Sequence, residues 1–136
     1  MSNYKIKIRP SKKAAINAVC YMALHVDRCV TIKEISEAIR VSVSYLEQIF
    51  KDLKRGGIAA PKKGPSGGYK LALMPSEISV FSVLRCVDAS FCCEIDINQS
   101  KINESVDYVF NKTSETFENS LKSISILDVV DCHNKK

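Results

Sequence analysis

Apolar side chains recur three and four residues apart along most of this chain, the spacing that draws a single stripe down a helix. Pro10-Ser11 opens the first such run, to about Val26, with Ala15, Ala18, Val19, Met22 and Val26 on one face. Thr31-Ile32-Lys33-Glu34 is a capping box, in which each side chain can satisfy the other's free backbone N–H; it starts a helix of about two turns through Ile39. After the connection Arg40-Val41-Ser42, Ser44 and Glu47 form a second capping box, for a helix whose apolar face is Leu46, Ile49, Phe50 and Leu53. Gly56-Gly57 stops it by permitting a left-handed residue. Pro75-Ser76-Glu77-Ile78 leads into a helix from Ser79 to Val87, with Val80, Val83, Leu84 and Val87 turned to the core. The longest helix runs from Lys101 to Leu121, and Ser125 caps a short one from Ile126 to Val130, ahead of a tail, His133 to Lys136, expected to fray.

Extended chain is predicted in two places. Tyr4 to Arg9 alternates apolar and basic side chains, which suits an edge strand, a basic arm along a phosphate backbone, or a partly ordered terminus equally well. The stretch after Gly57 reads as a short apolar strand, a Gly/Pro loop carrying Lys62 and Lys63, and a strand returning through Tyr69. Two helices joined by a turn as short as Arg40-Val41-Ser42 make a helix-turn-helix, whose second member can enter a major groove. Such a pair on its own is more often plain packing. A basic hairpin directly after it shifts the balance towards a reader of duplex nucleic acid.

These residues also carry a resemblance. SYLEQIF, then RGGI, then KKGPSGGYKLA, resemble the Rrf-two family of winged helix-turn-helix transcriptional regulators, from about Ser11 to Ala89 with a weaker echo at Ile124 to Val130. The resemblance implies a mainly α fold with a small β-wing: a winged helix-turn-helix domain in residues 1–75, a connecting helix and cysteine-bearing sensor-type loop in 76–100, and a long dimerisation helix with a short C-terminal helix in 101–136. It also implies that Ser44, Tyr45 and Glu47 match base- and phosphate-contacting positions. Lys63 stands where the family often has arginine at the wing tip, and Ser66 replaces a wing glycine. The Tyr4–Arg9 extension departs from the family pattern.

Charge agrees with a protein that touches phosphates at one end. Residues 1–75 hold 14 Lys/Arg against 5 Asp/Glu, whereas residues 76–136 hold 6 against 10. The candidate DNA-binding set is Ser42, Ser44, Tyr45, Glu47, Gln48 and Lys51 on the second helix, with Lys62, Lys63, Gly64, Ser66, Gly67 and Tyr69 in the hairpin. A glutamate on such a helix can accept from cytosine N4 and a glutamine can pair with adenine. Lys12 and Lys13 join the set because cations in a helix's first turn oppose its dipole, so a phosphate contact would account for them.

The long helix carries Ile102, Val106, Val109, Phe110, Phe117 and Leu121 as a stripe it cannot bury against itself; by the resemblance this is a homodimer interface, and packing onto the same chain's core is the alternative. In cluster-binding members of the family the preceding loop carries three spaced cysteines, since iron needs thiolates converging from different directions. Here the spacing is absent: Cys92 and Cys93 are adjacent and the next cysteine is Cys132. Three uses compete for them: an unusual iron–sulfur or metal site completed by Cys132, His133 or a second subunit, a redox-sensing thiol pair, and a relic packed like small hydrophobes. No cofactor is therefore assigned. Irregular cysteine spacing and the lack of a signal-peptide pattern point to the cytosol, and no run is apolar and long enough for a membrane. Neither histidine sits in a catalytic motif, which argues against an enzyme. The expected function is a DNA-binding transcriptional regulator, a repressor by preference, acting as a homodimer with room for a regulatory protein partner. The alternative is a protein-interaction adaptor that keeps the fold without specific DNA binding.

Overall fold

Four side chains at helical spacing, Leu46, Ile49, Phe50 and Leu53, are all at most 4% exposed in the computed structural model, which describes residues 8–88 and 104–134. Around them stand helices α1 (Pro10–Leu24), α2 (Ile32–Ile39) and α3 (Val43–Arg55), strands β1 (Ala59–Lys62) and β2 (Gly68–Leu71), a single 3-10 turn (Pro75–Glu77), and helices α4 (Val80–Val87), α5 (Glu104–Ser123) and α6 (Ile126–Asn134). From α1 the core receives Ala14, Ala15, Ala18, Val19 and Met22, from α4 Val80, Val83 and Leu84, and from the C-terminal helices Leu121, Ile126 and Val130. Alanines on the buried face of α1 let neighbouring helices approach closely. Val26, expected on that face, lies beyond the helix end and is half exposed, because α1 stops a residue short of His25.

Capping refines the predicted starts. Thr31 Oγ1 accepts from the Glu34 N–H at 3.1 Å, as the capping box requires, but the Glu34 carboxylate is held by Arg28 and Tyr21 instead of closing the box on Thr31. The cap of α3 is Ser42, whose Oγ accepts from the Tyr45 N–H at 3.3 Å; Ser44 lies inside the first turn, so the Ser44–Glu47 box does not form. The early start follows from the turn. Arg40 takes the left-handed conformation (φ 58°), and the Ser36 hydroxyl donates to the Val41 carbonyl, so the chain has already reversed when it reaches Ser42.

The end of α3 is a Schellman motif. The Gly57 N–H donates to Lys54 O at 3.1 Å and the Ile58 N–H to Leu53 O at 2.9 Å, with Leu53 and Ile58 both buried. Gly57 is the left-handed residue (φ 77°), whereas Gly56 lies close under α4: a Cβ there would come within 2.1 Å of the Cys86 sulfur, which would have to turn away. At the other end of the chain, the Ser79–Ser125 bridge joins the segments entering α4 and α6 through Val80 N–H to Ile124 O and Ile126 N–H to Ile78 O, both 2.8 Å. A complete capping box between Ser125 and Asp128 starts α6, which continues about one turn past the predicted end to Asn134.

Substituting Gly57 by alanine meets no atom within 4 Å, so its cost is the backbone conformation alone. Gly57→Ala is expected to lower unfolding stability by about 1–2 kcal/mol and Gly57→Asn by less, since asparagine tolerates the left-handed region. A urea titration in which the two variants unfold together with wild type would contradict this.

Candidate nucleic-acid interface

Burying one side of α3 fixes what the other side shows. Ser42, Ser44, Tyr45, Glu47, Gln48 and Lys51 are all exposed, as is Val43 between them. Glu47 is the only acid between Glu37 and Asp52, and among the described residues neither it nor Lys51 forms an ion pair. A helix face that leaves its charges unmatched is suited to a polar ligand rather than to another element of the same chain.

The hairpin continues from the same helix. β1 and β2 pair antiparallel, with Ala59 opposite Leu71 and Lys62 opposite Gly68, and Lys62, Lys63, Gly64 and Ser66 are exposed at the tip. Gly64 (φ 110°) makes the turn, closed by the Gly67 N–H on Gly64 O at 2.9 Å. At Gly67 a Cβ would fall 2.3 Å from Lys62 O, so that position must be glycine for the ribbon to close. Pro61 is tolerated in β1 because its missing N–H falls on the free edge of a two-stranded ribbon. Tyr69 is half-buried and its ring meets Phe50 at 4.6 Å between centroids, so it joins the wing to α3 whatever its hydroxyl touches.

The lysines at the start of α1 separate. Lys13 is exposed, as a phosphate contact requires. Lys12 departs from the expectation: it is buried, with its ammonium 3.3 Å from Asp88 at the end of α4. A tertiary partner, not a phosphate, offsets its unfavourable place on the helix dipole.

Two features lie outside what the sequence pattern predicts. Val30 pairs with Tyr69 by two backbone hydrogen bonds (Val30 N–H to Tyr69 O 2.9 Å, Tyr69 N–H to Val30 O 2.7 Å), an isolated bridge on the side of β2 away from β1. A signal existed: Val30 and Ile35 occupy the two positions of a hydrophobic staple around the Thr31 cap, and both are buried. The second is the cluster in which Arg28 grips the Glu34 carboxylate with both terminal nitrogens (2.9 and 2.6 Å) while the Tyr21 hydroxyl donates to it at 2.8 Å. Arg28's hydrogen bonds, helped by that of Tyr21, hold the Glu34 carboxyl below the usual glutamate range, and donation to Glu34 raises the Tyr21 hydroxyl.

The dimerisation stripe divides. Leu121 is buried in the same chain's core and Phe117 packs against it, whereas Val109 and Tyr108 near the other end are 56% and 67% exposed, with Val106 and Phe110 half-buried. Ile102 lies outside the described residues, as do Cys92 and Cys93. Among the described residues no three His, Cys, Asp or Glu side chains converge into a metal cage. Burial pushes the Cys20 thiol up to about 11 and raises that of Cys86; Cys132 is exposed at the end of α6. Neither the donors described nor the cysteine spacing in the sequence fits the three-thiolate arrangement of a cluster. No described helix is long and apolar enough to cross a membrane.

Comparison with known proteins agrees with this geometry. Residues 10–132 match the family model described as Rrf2, iron-dependent transcriptional regulator. The HTH-type transcriptional regulator IscR of Aliivibrio salmonicida is 41% identical over 86 residues, 62% of this chain and 51% of its own, so the match spans about half the length of that relative. Among solved structures, T. potens IscR superposes with a TM-score of 0.79 at 25% identity over 94% of this chain and 88% of its own. The global cysteine regulator CymR of B. subtilis superposes at 0.82 with 18% identity, over 93% and 98%, a likeness of fold. Matched over nearly its whole described length, the chain belongs to the Rrf2 family of winged-helix transcriptional regulators, and not to a family of enzymes.

Proposed function

We infer that this chain is a cytoplasmic, sequence-specific DNA-binding repressor that works as a homodimer on a two-fold related operator. The observation that carries the reading is the unpaired polar face of α3 continued directly by a lysine-tipped wing. Laid in a major groove, α3 would bring Ser44, Tyr45, Glu47 and Gln48 to base edges and sugar-phosphate, while Lys62, Lys63 and Lys70 would meet the backbone beside it. Glu47 has a particular place among these cations. Near phosphate it repels, so it favours binding only where a cytosine amine faces it. Affinity would thus come from the lysines and selection from the carboxylate.

Dimerisation rests on the exposed half of α5. Val109 and Tyr108 stand in water beside the half-buried Val106 and Phe110, an apolar patch a second copy of the same helix would cover. Two-fold pairing there would set two copies of α3 into successive major grooves. Boundaries at residues 75 and 100 suit this division of labour, although α6 returns to pack on α1 and so braces the DNA-binding part.

Four experiments test these assignments. Selection from random DNA with Glu47→Ala is expected to lose about 1–3 kcal/mol of discrimination at one position per half-site, while Lys63→Ala weakens all sites together and makes the salt slope shallower by about one. Unchanged base preference and an unchanged slope would reject the respective roles. For the dimer, Val109→Asp should leave helical content intact, convert the protein to monomer in sedimentation, and weaken operator binding; a variant still dimeric would move the interface elsewhere. Finally, anaerobically purified protein is expected to have a featureless visible spectrum with iron and sulfide far below stoichiometric. A broad cluster absorption with matching iron and sulfide would instead make Cys92-Cys93 part of an unusual ligand set.

A further inference from the structure

We propose that Tyr21, Arg28 and Glu34 form a clamp that positions the wing, acting from outside the DNA-contacting surface through the Val30–Tyr69 bridge. This deepens the DNA-binding reading above and rests on it for its functional consequence.

The wing needs an external support. β1 and β2 make a two-stranded ribbon four residues long on each side, and such a hairpin is marginal in water by itself. Its direction relative to α3 is set where β2 touches the rest of the fold. Tyr69 does so twice, through its ring on Phe50 and through its backbone, which exchanges two hydrogen bonds with Val30. Gly68 shows how close that seat is: with φ at 144°, a Cβ there would lie 2.4 Å from the Val30 carbonyl oxygen. The wing can therefore be aimed only as well as Val30 is placed.

Val30 belongs to the connection between α1 and α2, and the clamp braces that connection on three sides. Arg28 donates from Nη1 to the carbonyl of Cys29, directly before Val30, at 3.2 Å. The same guanidinium grips both oxygens of Glu34 in the first turn of α2. Tyr21 reaches the same carboxylate from α1, its ring lying against His25 at 4.5 Å. A planar fork on a carboxylate fixes direction as well as distance, which a lysine could not do. Arg28 is 44% and Glu34 29% exposed, so as a surface ion pair the clamp adds little to global stability. Its geometry accounts better for why Glu34 leaves the Thr31 cap half-closed.

Charge and position make opposite predictions, which makes the clamp testable. Glu34→Ala removes an acid from the basic half of the chain, so an electrostatic effect alone would tighten DNA binding. As a positioning change it should flatten the salt slope by about 1–2, the share of Lys62 and Lys63, and make a further Lys63→Ala silent. Base selection at Glu47 should persist. Arg28→Lys, which keeps the charge and loses the fork, should behave likewise, and Tyr21→Phe should do so more weakly. Independently of DNA, exchange of the Tyr69 amide proton, followed by NMR, should speed up at least several-fold in Glu34→Ala while amides in the middle of α3 keep their protection. An unchanged Tyr69 amide, or a Lys63→Ala effect of full size in the Glu34→Ala background, would overturn the clamp. Wild-type protein that ignored duplex DNA in dilute buffer would overturn the function proposed above, leaving the amide measurement to decide the clamp by itself.

Discussion

The burial of Phe50 is the constraint from which the rest of the N-terminal half follows. It lies at the middle of the α3 stripe, fully covered, with the Tyr69 ring of the wing 4.6 Å away. A large aromatic side chain removed from water stabilises by about 1.5–3 kcal/mol through area alone. Once it is inside, the rotation of α3 about its axis is settled, and with it the identity of every side chain left outside. Because the same ring receives Tyr69, the helix and the hairpin cannot be rotated independently. One apolar contact thus sets both the displayed face and the element beside it.

That constraint is met at a local cost. Arg40 occupies the left-handed region, which for a residue with a Cβ costs about 1–2 kcal/mol. The sharp reversal it allows brings α2 and α3 together over so few residues that Ile35 and Leu46 can share a core. The Ser36 hydroxyl on Val41 O, and the Val41 N–H on Ser36 O at 3.3 Å, hold the reversal in place. A glycine at this position would relieve the conformation but would also loosen the unfolded chain, so the net difference is smaller than the strain.

What could be read from the sequence divides along the same line between local and distant causes. The α3 stripe, the Gly56-Gly57 stop and the basic hairpin were all legible, because helical spacing and left-handed glycines act within a few residues. The choice between Ser42 and Ser44 as cap was not: both are serines with a plausible partner, and only the Arg40 reversal decides between them. The place of Lys12 is illegible for a related reason. Its first-turn position is unfavourable locally, and the carboxylate that compensates it, Asp88, is 76 positions away in the sequence. The pairing of Val30 is hidden because a single isolated bridge has no periodicity to betray it. Among the candidate interface residues, the exposed positions on α3 and at the wing tip were legible, while the support beneath them was not.

The split of the α5 stripe shows how one periodic pattern can serve two purposes. Phe117 and Leu121 lie against the chain's own core, and the Ser79–Ser125 bridge ties the entrances of α4 and α6 together just beyond them. The lower part of α5 is thereby held by the same α4 that packs on α1 and α3. Its upper part keeps Tyr108 and Val109 in water. A helix fixed at one end to the core built by α1, α3 and α4 and apolar at the other is a stiff arm: what covers the free end acquires a defined orientation relative to α3. If a second copy supplies the cover, the spacing of the two copies of α3 is set by the length and seating of α5 rather than by any contact near α3 itself. Periodicity alone cannot reveal this division, since it marks residues that must leave water and is silent on whose surface receives them.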